Sequence, residues 1–221
     1  MARDDRAVVG VLGGTFDPVH FGHLGIARCV LERTSLTRVW LLPSSVPPHK
    51  QAPRVTPARH REAMLRLAIE DRPGIEICTI EIDRDEVCYT IDTLRRLRDA
   101  ETPVVPVFVM GMDSLLELPT WKEFRSLIDE FDLIAVDRPG SDVTPDRLHP
   151  EVAQAVMDLP EGEEPRWGGG RVYRLRITPI PISSSGIRAL VARGERPSGL
   201  VPPGVAQYIH DNSLYLEEEL R

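Results

Sequence analysis

The chain has 221 residues, of which 42% are hydrophobic and 28% are charged, and its formal net charge is −7. These proportions are ordinary for a globular protein and argue against a disordered chain. The acidic balance argues against a general nucleic-acid-binding protein, which usually carries a basic stripe, so an anionic small substrate would need a local basic patch.

The cysteines and the N-terminal residues indicate a cytoplasmic protein. Cys29, Cys78 and Cys88 form no C-x-x-C pair and are odd in number, so the sequence predicts neither a disulfide framework nor a zinc site. The first apolar run stops after about six residues, which is too short for a signal peptide, and no stretch resembles a membrane span. We expect a single domain over residues 1–221 with no membrane partner, and its composition is compatible with a homo-oligomer.

The first predicted strand covers residues 7–12 and is followed by Gly13, Gly14 and a helix start that carries His20 and His23. Glycines let backbone N–H groups approach an anion closely. The two histidines are one helical turn apart, so both would point toward negative charge held at the positive end of the helix macrodipole. The stretch has neither the Walker nor the dinucleotide-binding spacing, so it predicts a phosphate-binding nucleotide site of another kind.

The run from Gly13 to His23, GGTFDPVHFGH, resembles the signature of the HxGH nucleotidyltransferase superfamily, and within it that of the nicotinate-nucleotide adenylyltransferases. The resemblance implies that the adenylyl group of ATP is transferred to nicotinate mononucleotide, giving deamido-NAD and pyrophosphate. It also implies that six residues of the run contact ATP, namely Gly13, Gly14, Thr15, Phe16, His20 and His23.

A helix over 24–34 and a strand over 39–42 follow, and the proline-rich loop 43–50 leaves the carboxyl end of that strand, where open parallel sheets bind ligands. The next residues include four cations and no acid, which makes a basic patch; the cations are Lys50, Arg54, Arg59 and Arg61. A solvated loop and helix start would explain the arginines equally well. The Pro-Pro-His-Lys segment resembles the family loop whose basic residue approaches the substrate phosphates, and we predict that Ser45 and Lys50 contact the acceptor.

Three elements follow in the middle of the chain. Thr56-Pro57 predicts the cap and start of a helix, and residues 75–82 alternate as a strand near the sheet edge. The next helix runs from Tyr89 to about residue 99. Capping alone would explain Thr90, but the segment resembles the family's Y-T-x-x-T-L, whose first threonine lies near the nicotinate carboxylate, so Thr90 is a predicted acceptor contact.

A buried strand over 104–110 ends in Gly111-Met112-Asp113-Ser114, where the carboxylate could cap a helix or accept hydrogen bonds from ribose hydroxyls. The family's G-x-D-S resembles this segment, which implies that Gly111 and Asp113 bind ATP, although the family often has glutamine in place of Met112. Further on, Trp121 could pack in the core or stack on a pyridinium ring, a contact worth roughly 0.5 to 2 kcal/mol. The family's P-x-W segment resembles this one and implies stacking, with Lys122 beside it.

Residues 132–136 predict a strand that runs into a turn resembling the family's, which implies that Arg138 faces the nucleotide. From about 142 to 171 the pattern weakens, and a helix over 146–157 precedes the glycine-rich run 161–170, which we interpret as a mobile insertion without chemistry. A β-type stretch over 171–182 then leads into Ser183-Ser184-Ser185-Gly186-Ile187-Arg188.

The three serines exceed what one N-cap requires, and a cation in the first helical turn is unfavourable unless an anion lies beside it. The segment resembles the family's I-S-x-T-x-I-R and implies that Ser184, Ser185 and Arg188 bind ATP. We predict a Rossmann-like, doubly wound α/β fold with a mostly parallel sheet and helices on both faces, because such a sheet brings both motifs to one edge.

An acceptor phosphate is mostly dianionic at neutral pH and needs no protein base, so catalysis would consist of alignment and charge stabilisation. The predicted catalytic residues are His20, His23, Lys50 and Arg188, with ATP as co-substrate, Mg²⁺ held by phosphates and no protein metal site. Two alternatives stay open: another HxGH transferase with a nicotinamide mononucleotide or phosphopantetheine acceptor, and a module that senses ATP without turnover.

Overall fold

The computed structural model describes residues 6–45, 55–82, 84, 86–137, 143–177 and 180–216. Its seven strands are β1 (Val8–Gly14), β2 (Val39–Pro43), β3 (Ile75–Ile77), β4 (Val105–Gly111), β5 (Leu133–Asp137), β6 (Val156–Asp158) and β7 (Val172–Arg176). The eight α-helices of the described residues are α1 (Phe21–Arg33), α2 (Ala58–Ile69), α3 (Thr90–Arg98), α4 (Met112–Glu117), α5 (Phe124–Glu130), α6 (Pro150–Ala155), α7 (Ser184–Ala192) and α8 (Pro203–Asp211).

All seven strands form one sheet in the order β3-β2-β1-β4-β5-β7-β6, and every neighbouring pair is parallel. Helices cover both faces because side chains alternate along each strand. On β1, Leu12 packs in the core beneath α1, α2, α7 and α8, whereas Val11 packs in the core beneath α3, α4, α5 and α6. The predicted doubly wound α/β fold is confirmed.

The strand order reverses between β1 and β4, since the chain continues to β2 and β3 on one side and to β5 on the other. A doubly wound sheet opens a crevice outside the carboxyl ends of its strands at such a reversal. The last residues of these two strands, Gly14 and Gly111, both line a cavity of about 350 Å³. The loops after β1 and β4 therefore carry their motifs to one place.

Two predicted elements are shorter in the structure. The strand expected over 75–82 lies at the sheet edge, as predicted, but ends at Ile77 because the chain then turns inward and buries Glu81, which accepts a hydrogen bond of 2.7 Å from Thr93 Oγ1. The helix expected over 146–157 is a short 3₁₀ turn, Pro145–Arg147, followed by α6. Residue Val156 leaves that helix to pair with β7, so tertiary pairing overrides helix propensity there.

The stretch 161–170, for which we predict a mobile insertion, contacts the sheet in its second half. The N–H groups of Gly168 and Gly169 donate to the buried Asp132 carboxylate, and so does that of Arg171 at 2.9 Å. Trp167 packs against the core beneath α1. These contacts lie at the amino ends of β5 and β7, the edge of the sheet opposite the cavity.

Ion pairs join α3 to α5. Arg95 contacts Glu123 at 2.9 Å and Glu130 at 2.5 Å, and Arg98 contacts Glu130 at 2.9 Å. The hydrogen bond from Arg95 and, to a smaller extent, that from Arg98 lower the pKa of Glu130 to about 2. Because α3 and the segment before α5 form two walls of the cavity, this network holds those walls together.

The depressed pKa predicts how acid weakens the fold. A carboxylate with a lower pKa in the folded state stabilises the protein above its unfolded-state pKa, and this contribution is lost as the pH falls toward the folded value. For Glu130 the window runs from the ordinary glutamate pKa of 4.5 down to about 2. Urea unfolding between pH 5 and pH 3 should show a smaller loss of stability in Glu130→Gln than in the parent, whereas Glu101→Gln, at an exposed site, should match the parent. Equal pH dependence in all three proteins would contradict the assignment.

Candidate active site

The cavity at the reversal of strand order lies between the ends of β1 and β4 and the start of α3. Seven of the predicted site residues line it: Gly13, Gly14, Thr15, Thr90, Gly111, Trp121 and Lys122. The lining also includes two carboxyl groups that the sequence motifs did not point to, those of Glu81 and Glu117. The cavity thus collects part of the residues that we predict for each nucleotide substrate, whereas His20, His23 and Arg188 do not line it.

Gly13 and Gly14 are the last two residues of β1, which thus extends beyond the strand predicted over residues 7–12. A Cβ on Gly13 would lie 3.0 Å from the ring of Phe108, and one on Gly14 would lie 3.0 Å from the ring of Phe16. The missing side chains therefore make room for two aromatic rings at the end of the strand.

Phe16 has a left-handed backbone, with φ of 51°, and its side chain is 1% exposed. This conformation is uncommon for a residue with a bulky side chain and persists only where packing determines it. The ring meets His23 edge-on, with centroids 4.9 Å apart. Burial of Phe16 thus bends the loop back under the start of α1 and supports one of the two motif histidines.

The histidines lie at the start of α1, as the sequence predicts. His20 is the N-cap, and its Nδ1 accepts a hydrogen bond of 3.1 Å from the N–H of Gly22. A neutral His20 ring therefore carries its proton on Nε2. The rings of His20 and His23 are stacked, with centroids 3.8 Å apart and an interplanar angle of 27°. Both side chains are thus held in one direction at a helix N-terminus, where negative charge is favoured.

The two motifs meet although they are far apart in sequence. Ser184 Oγ donates to the carbonyl of Pro18 at 2.9 Å, and Arg188 Nη1 donates to the carbonyl of Asp17 at 2.6 Å. Ser183 is the N-cap of α7, and its Oγ accepts from the N–H of Gly186 at 3.1 Å. The loop between β1 and α1 and the start of α7 therefore form one structure.

Two of our expectations for this segment change. Because α7 begins at Ser184, Arg188 is its fifth residue and lies just beyond the first turn, so the macrodipole argument for a bound anion is weaker than we expected. The hydroxyl of Ser184 is not surplus, since it joins the two motifs. Ser185 Oγ lies 3.3 Å from Ser183 Oγ, and both side chains are exposed.

Arg61 does not belong to a substrate-binding basic patch. Its side chain is 1% exposed and donates to four backbone carbonyls, those of Thr15, Ser44, Ser45 and Thr56, at 2.7 to 3.2 Å. Burial lowers the pKa of the guanidinium, while the charge of Asp17 acts in the opposite direction. Arg61 thus ties the loops after β1 and β2 to the start of α2. The predicted Thr56 cap is also replaced, because Pro57 occupies the N-cap of α2 without a side-chain bond.

The opposite wall of the cavity carries the residues predicted for the acceptor. Thr90 is the first residue of α3, and the Trp121 ring meets Phe108 edge-on with centroids 6.0 Å apart. Lys122 Nζ binds Asp92 at 2.8 Å and lies 5.0 Å from the ring centroid of Tyr89. The hydrogen bond to the Asp92 carboxylate raises the pKa of Lys122. Trp121 and Lys122 both line the cavity.

Ser45, which we predict as an acceptor contact, donates through Oγ to the carbonyl of Glu86 at 2.9 Å. Asp113, exposed in the first turn of α4, lies between Gly111 and Ser114, which both line the cavity. Met112 is 3% exposed and packs in the core, so its side chain is not a ligand contact.

Two further predicted residues, Lys50 and Arg138, lie outside the described residues. Their predicted contacts with phosphate and nucleotide stay predictions.

Glu81 is a carboxyl group in the cavity lining that the motifs did not indicate. It is 6% exposed and accepts a hydrogen bond of 2.7 Å from Thr93 Oγ1 on α3. Burial raises its pKa, and the bond from Thr93 partly opposes that shift. The pattern of residues 75–82 predicted only a strand, so it is the tertiary fold that shows Glu81 to be buried.

A second slot of about 220 Å³ lies along α1, and its lining includes the ion pair of Arg28 and Glu32 as well as apolar side chains. Gly22 and Gly25 form its floor, and Ile177 and Ile180 lie among its walls. A Cβ on Gly25 would lie 2.7 Å from Ile180 Cδ1, and one on Gly22 would lie 2.8 Å from the ring of His20. Two glycines inside a helix cost about 1 kcal/mol each relative to alanine, and in a sequence such glycines indicate close packing against the helix.

The described residues contain no cluster of three or more His, Cys, Asp or Glu side chains that could hold a metal ion. None of their helices combines the length and apolar character needed to cross a membrane. Cys29, Cys78 and Cys88 are free thiols.

Comparisons with known proteins agree with this geometry. The model of the cytidylyltransferase-like family matches residues 11–190. A probable nicotinate-nucleotide adenylyltransferase of Symbiobacterium thermophilum is 43% identical over 213 residues, which cover 96% of this chain and 97% of the relative. A probable nicotinate-nucleotide adenylyltransferase of Aeromonas hydrophila is 40% identical over 214 residues, covering 94% and 96%.

Solved structures show the same fold. The nicotinic acid mononucleotide adenylyltransferase of Plasmodium falciparum complexed with NaAD has a TM-score of 0.74 and 18% identity over 95% of this chain and 98% of that chain. The same protein complexed with APC has a TM-score of 0.70. The family model covers most of the chain, and the curated relatives align along nearly all of it. As the motif resemblance implies, the chain belongs to the nicotinate-nucleotide adenylyltransferase family of cytidylyltransferase-like proteins.

Proposed function

We propose that the chain transfers the adenylyl group of ATP to nicotinate mononucleotide, giving deamido-NAD and pyrophosphate. The observation that carries the proposal is the pair of hydrogen bonds from Ser184 and Arg188 to the loop between β1 and α1. These bonds unite two phosphate-type motifs beside a cavity whose far wall carries Thr90 and Trp121. The family's curated members support the same reaction, since they are named for it.

ATP would lie across the start of α1. The triphosphate would receive hydrogen bonds from His20 Nε2, from His23 and from Arg188, whose side chains converge on the helix N-terminus. The flat adenine ring would lie in the slot along α1, where Ile26, Ile177 and Ile180 offer apolar contacts. The α-phosphate would then lie between the slot and the larger cavity.

Nicotinate mononucleotide would occupy the larger cavity. Its pyridinium ring is cationic, and stacking on Trp121 would be favourable by roughly 0.5 to 2 kcal/mol. The nicotinate carboxylate would face donors at the start of α3 and beside Trp121, including the Thr90 hydroxyl and the Lys122 ammonium. Donors at these two positions disfavour an amide, whose NH₂ group would meet them unpaired.

The reaction needs no protein base. A phosphate oxygen of the acceptor attacks the α-phosphorus of ATP in line, the bond from that phosphorus to the bridging oxygen breaks, and pyrophosphate leaves with the electron pair. Fixed donors at His20, His23 and Arg188 would stabilise the charge that grows on the bridging and pyrophosphate oxygens. Mg²⁺ would arrive on the phosphates and neutralise part of their charge, since the described residues offer no protein cage for it.

The compartment follows from the chemistry of the thiols. All three cysteines of the chain are free, which fits a reducing environment such as the cytoplasm. We therefore propose that the reaction takes place there.

The most direct prediction concerns the substrate pair. Purified protein with ATP and nicotinate mononucleotide should release pyrophosphate and form deamido-NAD, and kcat/KM should be higher than with nicotinamide mononucleotide because the donors at Thr90 and Lys122 favour a carboxylate. Equal or better use of the amide would refute the assignment of the acceptor. Turnover with phosphopantetheine alone, or ATP binding without turnover, would identify one of the two alternatives.

A variant of His20 separates its catalytic role from its capping role. Asparagine keeps an N-cap acceptor for the Gly22 N–H but lacks the donor at Nε2, so His20→Asn should keep its Tm and lose about 10² to 10³ in kcat. His149 is a matched control, because its Nδ1 also accepts from a backbone N–H, that of Glu151, at the start of α6. His149→Asn should leave kcat unchanged, and a kcat of His20→Asn within about threefold of the parent would rule out the donor role.

The acceptor wall can be tested at Thr90. Valine has nearly the same shape but no hydroxyl, so Thr90→Val should lower kcat/KM for nicotinate mononucleotide about tenfold or more, because a hydrogen bond to a charged group is lost. The KM for ATP should hardly change, since ATP lies on the other side. Thr102→Val, at an exposed site before the amino end of β4, is the control. If both variants show the same kinetics as the parent, Thr90 does not contact the acceptor.

A further inference from the structure

Tyr215, near the C-terminal end of the described residues, reaches the nucleotide loop at the other end of the chain. Its side chain is 3% exposed, and its hydroxyl donates to Asp17 Oδ1 at 2.7 Å. Asp17 lies in the loop between β1 and α1, 198 residues away. None of the sequence motifs includes Tyr215, and it does not line the cavity.

The backbone that delivers Tyr215 adopts an uncommon conformation. Ser213 has φ of 53° and Tyr215 has φ of 67°, so two residues with side chains are left-handed within one short turn after α8. Leu214, between them, is 2% exposed and packs in the core. Such conformations persist where the surroundings determine them and often mark functional positions. Glycine would be accommodated there more easily, but it would not supply a phenol.

Asp17 connects Tyr215 to the nucleotide site through further hydrogen bonds. Its Oδ2 accepts from the N–H of Thr56 at 3.2 Å, and its main-chain carbonyl accepts from Arg188 Nη1 at 2.6 Å. The Thr56 carbonyl in turn accepts from Arg61 Nε at 2.9 Å. The position of Asp17 thus determines where the Arg188 guanidinium lies, and Tyr215 is the side chain that holds Oδ1.

The ionisation of the pair favours this contact. Burial raises the pKa of Tyr215 well above its ordinary value, and the neighbouring Asp17 carboxylate contributes a smaller increase. The phenol therefore keeps its proton at neutral pH and donates it to Asp17. Hydrogen bonds to a carboxylate are among the stronger ones in proteins, and this one is buried.

We propose that Tyr215 is a positioning residue of the nucleotide site: by holding Asp17 it fixes the loop between β1 and α1 and orients Arg188 toward the triphosphate. The inference rests on the proposed function, because it takes that loop and Arg188 as the ATP site. With this role for Tyr215, the turn after α8 supports the nucleotide site, although the turn does not contact the substrates.

A second buried tyrosine provides a matched control. Tyr173 on β7 is 4% exposed, and its hydroxyl donates to the carbonyl of Arg166 at 2.7 Å and accepts from the N–H of the same residue at 2.9 Å. It lies away from both nucleotide motifs. Tyr215→Phe and Tyr173→Phe each remove one buried hydroxyl, so a purely structural role would make their effects alike.

The experiment measures binding and turnover in the full chain. Calorimetric titration with α,β-methylene ATP should show affinity about tenfold lower in Tyr215→Phe and within about twofold of the parent in Tyr173→Phe, at comparable losses of Tm. With ATP and nicotinate mononucleotide, Tyr215→Phe should lower kcat/KM for ATP by a similar factor, while the KM for nicotinate mononucleotide stays within about twofold. Equal effects of the two variants on analogue binding would overturn the inference.

The route through Arg188 is tested by a double-mutant cycle. If Tyr215 acts by orienting the guanidinium, Tyr215→Phe should lower the affinity for the analogue less than about threefold when Arg188→Lys is already present. The reason is that the effects of substitutions in one hydrogen-bonded network are not additive. If the loss of affinity in the double variant equals the product of the losses in the two single variants, the route through Arg188 is overturned. A parent that binds the analogue but makes no deamido-NAD would refute the proposed function and leave these comparisons valid, whereas a parent that does not bind it would overturn both.

Discussion

The hydrogen bonds of Asp17 hold together segments from both ends of the chain. Its carbonyl accepts from Arg188, and its carboxylate accepts from Tyr215 and from the N–H of Thr56. A buried carboxylate is costly unless such bonds satisfy it, so the nucleotide loop can adopt this position only when α2, α7 and the C-terminal turn are in place. The geometry of the site therefore depends on the complete fold, and not on the HxGH motif alone.

The fold could be predicted because its main features are local patterns. Buried parallel strands read as continuous apolar runs, and polar helix starts mark where each run turns back over the sheet. The meeting of the two motifs followed from topology, since parallel strands present their carboxyl ends at one edge. The serine run before α7 and the histidines before α1 were both predicted as helix starts, and Ser183 and His20 are the N-caps.

What could not be predicted depends on contacts between distant segments. Arg61 stands in a run of cations that suggested a surface patch, yet it is buried because four backbone carbonyls from three segments converge on it. Glu81 followed an alternating pattern that ends where the strand leaves the sheet, and Tyr215 belongs to no motif. Such residues are recognised only when the folded chain shows which polar groups have been removed from water.

The proposed reaction requires that the cavity and the slot along α1 receive the two halves of one dinucleotide. A crystal structure of the protein with deamido-NAD tests it most directly. We predict the pyridine ring against Trp121 in the cavity, the adenine ring above Gly22 and Gly25, and the joining phosphates within hydrogen-bonding distance of His20 and Arg188. A dinucleotide bound with its phosphates away from these two side chains would contradict the account.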